Sequence, residues 1–134
     1  VVWTGGEPML QQNKIYEVIR RTHKRNHVET NGDILPSKPA HFDYIAFSPK
    51  EKESQDNIIK FCSVYGIDYD IKVVTDLELN KDMLKKATML MPLTTDNYNH
   101  DVEVQRKVWN YCVDNNLKYT PRIHRDVWNN KRGV

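Results

Sequence analysis

Short apolar runs alternate with helical segments along the whole chain. The runs predict strands at residues 1–4, 27–30, 43–47, 69–74 and 89–91, and a last extended stretch at 117–123. The segments between them predict helices at about 8–24, 54–65 and 81–86, and a long helix that begins near Asp101. This alternation is typical of an α/β fold with a mainly parallel sheet.

Apolar positions three and four residues apart define the buried faces of the predicted helices. In the first helix these positions are Ile15, Val18 and Ile19. In the second helix, which Ser54 is expected to cap and Gly66 to end, they are Ile58, Phe61, Cys62 and Tyr65. In the long helix they are Val104, Val108, Tyr111, Cys112 and Asn115.

Composition limits the class of protein. The 134 residues suffice for one domain, or for part of a larger one, and the 20 basic and 18 acidic side chains leave no charge excess for binding nucleic acid. No apolar run approaches the roughly 18 to 20 residues of a membrane span, and no signal-peptide pattern opens the chain. We therefore expect a cytoplasmic protein. Because the sequence opens inside a predicted strand, we also expect sequence upstream of Val1 to be missing.

Cysteine and histidine usage gives little support for a metal site. Cys62 and Cys112 lie in predicted helices, which suits reduced thiols, although a disulfide between them remains an alternative. The five histidines are scattered and do not pair with a cysteine or carboxylate at ligand spacing. We expect no metal ligands in this chain.

Polar clusters follow several strands, and ligands in such folds bind at the carboxyl ends of the strands. The first cluster is Gly-Gly-Glu-Pro at 5–8, preceded by Thr4. The glycines allow backbone amides to approach a ligand closely, and Glu7 can accept hydrogen bonds from an ammonium group. The alternative is a tight turn in which Glu7 complements a helix dipole.

Two further clusters follow the next two strands. Glu29 stands beside a hydroxyl and an amide, a combination that suits a ribose diol, whereas the Asn-Gly pair at 31–32 alone indicates a plain turn. Ser48, Pro49 and Lys50 supply a hydroxyl, a rigid bend and a cation. A surface loop explains that last sequence equally well.

The last two clusters lie in the second half of the chain. Residues 91–94, Met-Pro-Leu-Thr, suit packing against an aromatic ring, or alternatively a capped core strand. Arg122 and His124 are expected on one side of an extended stretch, where they suit a carboxylate or a pterin-like heterocycle. A solvated basic tail reaching Val134 is the alternative.

The order of these motifs along the chain is similar to that in a known enzyme superfamily. Gly-Gly-Glu-Pro at 5–8 and Glu-Thr-Asn-Gly at 29–32 resemble central motifs of radical S-adenosylmethionine enzymes. Phe-Ser-Pro-Lys at 47–50, Ile-Lys-Val-Val at 71–74, Arg-Ile-His at 122–124 and the terminal 130–134 resemble the 7-carboxy-7-deazaguanine synthase family in particular. The resemblance covers essentially the whole chain. It implies the C-terminal part of an incomplete (β/α) barrel, in a single partial domain at 1–134.

The resemblance also implies a function. That family is a carbon–nitrogen lyase, which converts 6-carboxy-5,6,7,8-tetrahydropterin to 7-carboxy-7-deazaguanine in queuosine and deazapurine biosynthesis. It uses S-adenosylmethionine, a 4Fe–4S cluster and Mg²⁺, commonly as a homodimer, with an external electron donor such as flavodoxin. Neither nucleic acid nor a membrane is expected as a partner.

Residue roles are carried over from the matching motifs. Cofactor contacts are implied for the residues expected to meet the amino group, ribose and adenine of S-adenosylmethionine, with Glu29 assisting: Gly6, Glu7, Glu29, Ser48, Pro49, Lys50, Met91, Pro92, Leu93 and Thr94. Substrate contacts are implied for Thr4, His124 and Val134. No catalytic residue is assigned within this chain.

The chain departs from the family in two respects. Met91 stands where a polar residue is expected, and nothing upstream of Gly-Gly-Glu-Pro supplies the three cluster cysteines. Cys62 and Cys112 are too far apart in sequence to replace them. The cluster and Mg²⁺ are therefore expected only in a full-length enzyme, and this chain alone is expected to be inactive. The alternatives are another radical S-adenosylmethionine enzyme, such as an activase, or a catalytically inactive nucleotide-binding half-domain.

Overall fold

The computed structural model describes residues 1–128, which form one six-stranded sheet and its connecting helices. The strands are β1 (Val2–Trp3), β2 (His27–Thr30), β3 (Tyr44–Phe47), β4 (Tyr69–Thr75), β5 (Met89–Pro92) and β6 (Lys118–Tyr119). The helices are α1 (Gln12–Ile19), α2 (Lys52–Tyr65), α3 (Tyr98–Asp114) and α4 (Ile123–Trp128), with 3₁₀ turns at Pro8–Gln11, Pro39–His41 and Lys81–Lys86.

The strands are all parallel and lie in sequence order from β1 to β6. Parallel crossovers are right-handed almost without exception, so successive steps in one direction place the connecting helices on one face of the sheet. A doubly wound sheet would reverse its strand order part-way, and this one does not. The sheet is not closed. These features confirm the predicted α/β fold and fit a partial β/α barrel.

The hydrophobic core lies between the sheet and the helices. Its sheet side is formed by alternate strand residues, including Val28, Ile45, Phe47, Ile71, Val73 and Leu90. Its helix side includes Ile58, Cys62, Val104, Val108 and Cys112. Since side chains alternate along a strand, the residues between these core positions face the opposite side of the sheet.

That opposite side, called the inner face below, carries the charged strand residues together with apolar ones such as Met89 and Met91. It carries Glu29 of β2, Tyr44 of β3, Asp70 and Lys72 of β4, and Lys118 of β6. In a complete barrel this face would line the interior. The charged positions within β4 therefore reflect a sheet whose two faces differ in polarity.

The first helix is shorter than predicted. The chain enters it through the 3₁₀ turn, and α1 ends at Ile19, not near Lys24. The Thr22 hydroxyl donates to the Ile19 carbonyl at 3.2 Å, in a turn that redirects the chain toward β2. Val18 was predicted to be buried but is exposed. Tyr16 is buried in its place.

The second helix begins before the predicted cap. Glu51 is the N-cap of α2, and Ser54 lies in the first turn, where its hydroxyl donates to Asp33 Oδ1 at 3.0 Å. Ser54 therefore ties the helix to the preceding loop. Gly66 ends the helix in the left-handed conformation, as predicted, whereas Tyr65 is exposed and was wrongly assigned to the core face.

The end of the described chain also differs from expectation. α3 begins at Tyr98 with Asn97 as its cap, slightly earlier than predicted. The predicted extended stretch contains only β6, and α4 follows. Its first turn forms because the Arg122 carbonyl accepts from the backbone amide of Arg125 at 2.8 Å. His124 is helical, so the predicted strand-like alternation of Arg122 and His124 is wrong.

Among residues 1–128, no helix combines the length and the apolar character that crossing a bilayer requires.

Candidate functional site

A hollow of about 300 Å³ lies at the carboxyl ends of β1, β2 and β3. It is called the strand-end hollow below. Its lining is polar and comes from three separate chain segments, at the ends of the three strands: Thr4, Gly6, Glu7, Glu29, Thr30, Asn31, Ser48 and Lys50. The first three sequence clusters thus meet at one place because parallel strands bring their carboxyl ends to the same edge.

The loop after β1 exposes backbone to the hollow. Gly5 and Gly6 have φ angles of +87° and +57°, a region that favours glycine. No heavy atom lies within 4 Å of the position that a Cβ would take at either residue. The two glycines therefore serve the turn itself and leave open space beside the backbone.

Glu7 is fixed by three hydrogen bonds. Its Oε1 accepts from the Met9 amide at 3.0 Å and from the Thr30 hydroxyl at 2.6 Å, and its Oε2 accepts from the Asn31 amide at 2.9 Å. The carboxylate therefore caps the 3₁₀ turn and joins the loop after β1 to the loop after β2. Glu7 therefore fits both interpretations of the Gly-Gly-Glu-Pro motif: it caps a turn, and it also lines the hollow where a ligand could bind.

The loop after β2 is a compact turn. The Thr30 hydroxyl accepts from the Gly32 amide at 3.1 Å, and Asn31 Oδ1 accepts from the Asp33 amide at 3.0 Å. The neighbouring Ser48 amide donates to the Thr30 carbonyl at 2.8 Å. The Asn-Gly turn predicted from sequence is therefore present, and it holds Asn31 and Ser48 at the rim of the hollow.

Glu29 is the remaining carboxylate of the hollow. Its Oε2 accepts from Lys72 Nζ at 3.1 Å, across the inner face of the sheet. Lys50, which also lines the hollow, is exposed. The hollow thus contains two carboxylates, one lysine, hydroxyls and open backbone, which suits a ligand with ammonium and hydroxyl groups.

Residues 91–94 lie elsewhere along the carboxyl edge. β5 is separated from β3 by β4, and Met91, Pro92 and Leu93 do not line the strand-end hollow. Thr94 lines a second cleft of about 610 Å³ between the end of β5, the start of α3 and α4. In that cleft Arg125 donates to the Thr95 carbonyl and lies 3.5 Å from Asp101. This ion pair was not predicted from the sequence.

Two other expected site residues, Pro49 and His124, do not line the strand-end hollow. Pro49 is buried between Ser48 and Lys50. His124 packs on α4 with its ring 5.5 Å from that of Trp128. Val134 lies outside the described residues, as does the rest of the terminal motif.

The cysteines do not form a metal site. Cys62 of α2 and Cys112 of α3 are buried and free, and residues 1–128 contain no group of three His, Cys, Asp or Glu side chains that could hold a metal ion. Burial raises the pKa of Cys62 to about 11 and also raises that of Cys112. Cluster iron is bound by thiolates, so these residues do not fit an iron–sulfur centre.

A second polar cluster, not foreseen from sequence, surrounds Asp70 near the amino ends of the strands. The carboxylate accepts from the Tyr44 hydroxyl at 2.7 Å, from the Thr88 hydroxyl at 2.7 Å and from Lys118 Nζ at 2.7 and 2.9 Å. The available signal was an aspartate inside a predicted strand, next to its first residue. Because it lies away from the carboxyl ends of the strands, we assign it a structural role.

No family model matches the chain. A 7-carboxy-7-deazaguanine synthase from Pyrobaculum aerophilum is 28% identical over 151 aligned positions, which take in 99% of this chain and 67% of the relative. This chain is similar to a 7-carboxy-7-deazaguanine synthase. The resemblance inferred from the motifs is thereby confirmed, and it covers 99% of this chain.

Proposed function

We propose that the strand-end hollow binds S-adenosylmethionine, as part of a radical enzyme that forms 7-carboxy-7-deazaguanine from 6-carboxy-5,6,7,8-tetrahydropterin. The observation that supports it is convergence. Six residues to which the resemblance gives cofactor or substrate roles surround one hollow: Thr4, Gly6, Glu7, Glu29, Ser48 and Lys50.

The residues of the hollow suit the cofactor. Glu7 is immobilised by three hydrogen bonds, so it offers a pre-oriented carboxylate to the amino group of the methionine moiety. The open backbone at Gly5 and Gly6 allows the ligand to approach closely. S-adenosylmethionine supplies the hydrogen-abstracting chemistry in this enzyme class, while the protein binds and orients it.

The other lining residues have distinct tasks in this proposal. Glu29 accepts hydrogen bonds from the ribose hydroxyls, and Ser48 and Lys50 contact the same part of the ligand from the loop after β3. Thr4, at the end of β1, meets the pterin. Residues 91–94, with Thr94 on the neighbouring cleft, are proposed for the adenine side, and His124 for the substrate.

The 4Fe–4S cluster does not fit the described residues, so no electron-transfer step is assigned to them. We propose that the cluster, Mg²⁺, a flavodoxin-type electron donor and the homodimer belong to a full-length cytoplasmic enzyme, of which this chain forms one partial domain. The chain alone then binds cofactor without turning it over.

Binding is tested by titrating the ¹⁵N-labelled chain with S-adenosylmethionine and following amide shifts. We expect saturable shifts at Gly5, Gly6 and Ser48, with the Gly66 amide as an internal control because it lies at the far end of α2. Glu7→Gln should weaken binding about tenfold by removing the charge that meets the ammonium group. Absence of any saturable shift at the hollow in the wild-type chain would contradict the proposal.

Turnover is tested separately. After anaerobic iron–sulfur reconstitution, we expect the 134-residue chain to form no 5′-deoxyadenosine above a no-protein control. Robust formation would show that cluster ligands are present in this chain after all. The full-length gene product assayed with 6-carboxytetrahydropterin distinguishes the proposed reaction from that of an activase.

A further inference from the structure

Lys72 lies beside the strand-end hollow although it is remote in sequence from the residues that line it. Thr30, Phe47 and Ile71 are in register across β2, β3 and β4. The next residue of each chain segment therefore lies at the same height, which places Lys72 level with Ser48 at the edge of the hollow. Lys72 belongs to the Ile-Lys-Val-Val motif at 71–74, to which no role has so far been given.

The side chain of Lys72 crosses a whole strand to reach its partner. Glu29 on β2 is in register with Ala46 on β3, which is in register with Asp70 on β4. Lys72 Nζ passes this middle strand and donates to Glu29 Oε2 at 3.1 Å. The methyl group of Ala46 leaves room for this crossing, where a long side chain would stand between the two charges.

The two members of the ion pair differ in exposure. The Lys72 side chain is 14% exposed, whereas the Glu29 side chain is 48% exposed and lines the hollow. The Lys72 side chain as a whole is thus more buried than that of Glu29. Among the hydrogen bonds of residues 1–128, Glu29 uses Oε2 for Lys72, and Oε1 is left for a ligand.

We propose that Lys72 is a positioning residue that holds the Glu29 carboxylate in the orientation needed to accept hydrogen bonds from the ribose hydroxyls of a nucleoside ligand. The inference rests on the proposed cofactor site. Lys72 acts through Glu29, because Glu29 lines the hollow and Lys72 does not. A half-exposed glutamate without this restraint would sample several rotamers, and ordering it would weaken binding.

A double-mutant cycle tests the inference with S-adenosylmethionine as the ligand. We expect Lys72→Met and Glu29→Gln each to weaken binding about fivefold. In the Glu29→Gln background, Lys72→Met should have no further effect, because the group through which it acts is altered. Lys72→Arg keeps the cation and should bind within about twofold of the wild type.

Two controls separate positioning from general damage. Lys86→Met breaks the ion pair between Lys86 and Asp56, at 2.7 Å on the helix side, and should leave the affinity unchanged. The ligand comparison uses adenosine and 2′,3′-dideoxyadenosine. Lys72→Met should weaken adenosine binding and leave binding of the dideoxy analogue unaffected, a difference that a merely structural role would not produce.

The outcomes are distinguishable. If the wild type binds and Lys72→Met binds equally well, or if the two losses add in the double variant, the inference is wrong while the proposed function stands. If both nucleosides lose affinity equally in Lys72→Met, the residue supports the fold and not Glu29. A wild-type chain that binds neither S-adenosylmethionine nor adenosine contradicts both proposals.

Discussion

At the scale of single residues, Gly32 is the most constrained glycine among residues 1–128. It has a φ of +81°, and a Cβ there would lie 2.9 Å from Ile58 Cγ1 and 3.2 Å from Phe47 Cδ1, inside the core. Gly32→Ala therefore combines backbone strain with overpacking, and we expect it to lower the free energy of unfolding by about 2–4 kcal/mol. Urea denaturation measures this loss.

Gly66 is the matched control for that substitution. It also has a positive φ, +60°, but nothing lies within 4 Å of the position its Cβ would take. Gly66→Ala should cost only about 1 kcal/mol, which is the backbone term alone. Equal losses in the two variants would show that the contacts with Ile58 and Phe47 do not restrict Gly32.

The cysteines allow a second prediction at this scale. Burial raises the pKa of the Cys62 thiol to about 11 and that of Cys112 in the same direction, so both remain protonated and shielded near pH 8. Ellman's reagent should therefore label neither residue in the native chain and both in urea. Ser63→Cys, on the exposed side of α2, should be labelled at once in the native state. Rapid native labelling of the wild type would contradict the buried placement.

Individual site residues could be predicted where chemistry and position agreed. Gly6 and Glu7 were identified because glycines and a carboxylate follow a strand directly. Lys72 and Asp70 were not assigned roles, because their partners Glu29 and Lys118 are distant in sequence and only the register of the sheet brings them together. Side-chain partners across a sheet are not encoded in local spacing.

At the scale of elements, Asp70 of β4 is a buried charge on the inner face, and its ionisation affects the stability of the fold. Burial alone would raise the pKa of Asp70, but hydrogen bonds from Lys118, Thr88 and Tyr44 outweigh that effect and hold the pKa below the usual 3.8. A depressed native pKa contributes stability that is present above the unfolded-state value and lost as the pH falls through the native value. We therefore expect the free energy of unfolding to fall below about pH 4.

Asp70→Asn tests this third prediction. Asp70 is 2% exposed, so the variant leaves the polar hydrogens of Lys118, Thr88 and Tyr44 without a charged acceptor. We expect a loss of about 2 kcal/mol at pH 7 and a flatter acid dependence in urea denaturation from pH 3 to 7. Glu103→Gln, an exposed change on α3, should keep the wild-type dependence. An unaltered acid slope in Asp70→Asn would remove Asp70 as its source.

Element positions could be predicted better than element ends. The strands were located because apolar runs stand between turn residues, and β2 was predicted with its observed bounds, His27–Thr30. The start of α2 was missed because Ser54 bonds to Asp33 and does not cap the helix. The extended stretch predicted at 117–123 was only partly right, because just Lys118–Tyr119 form a strand and a helix begins at Ile123.

At the scale of the whole molecule, strand order decides which motifs can cooperate. The clusters after β1, β2 and β3 meet because those strands are neighbours in a parallel sheet. The cluster after β5 lies two strands further along, so it lines a different cleft. The order of strands and helices in the sequence predicted that all the clusters lie at one edge of the sheet. How far apart the clusters lie along that edge depends on which strands are neighbours, and only the structure shows this.

The two edge strands of the described sheet, β1 and β6, differ in how well they are protected against pairing with another chain. The final prediction follows from this difference. β6 carries Lys118, which is 63% exposed, and an edge lysine opposes pairing with another chain. β1 carries no charge, and Val2 is 58% exposed. We therefore expect the chain to self-associate through β1 at high concentration, as sedimentation velocity would show. Val2→Lys should reduce this association, whereas Val64→Lys, at a residue 76% exposed on α2, should not. If both variants associate like the wild type, the β1 edge is not the contact.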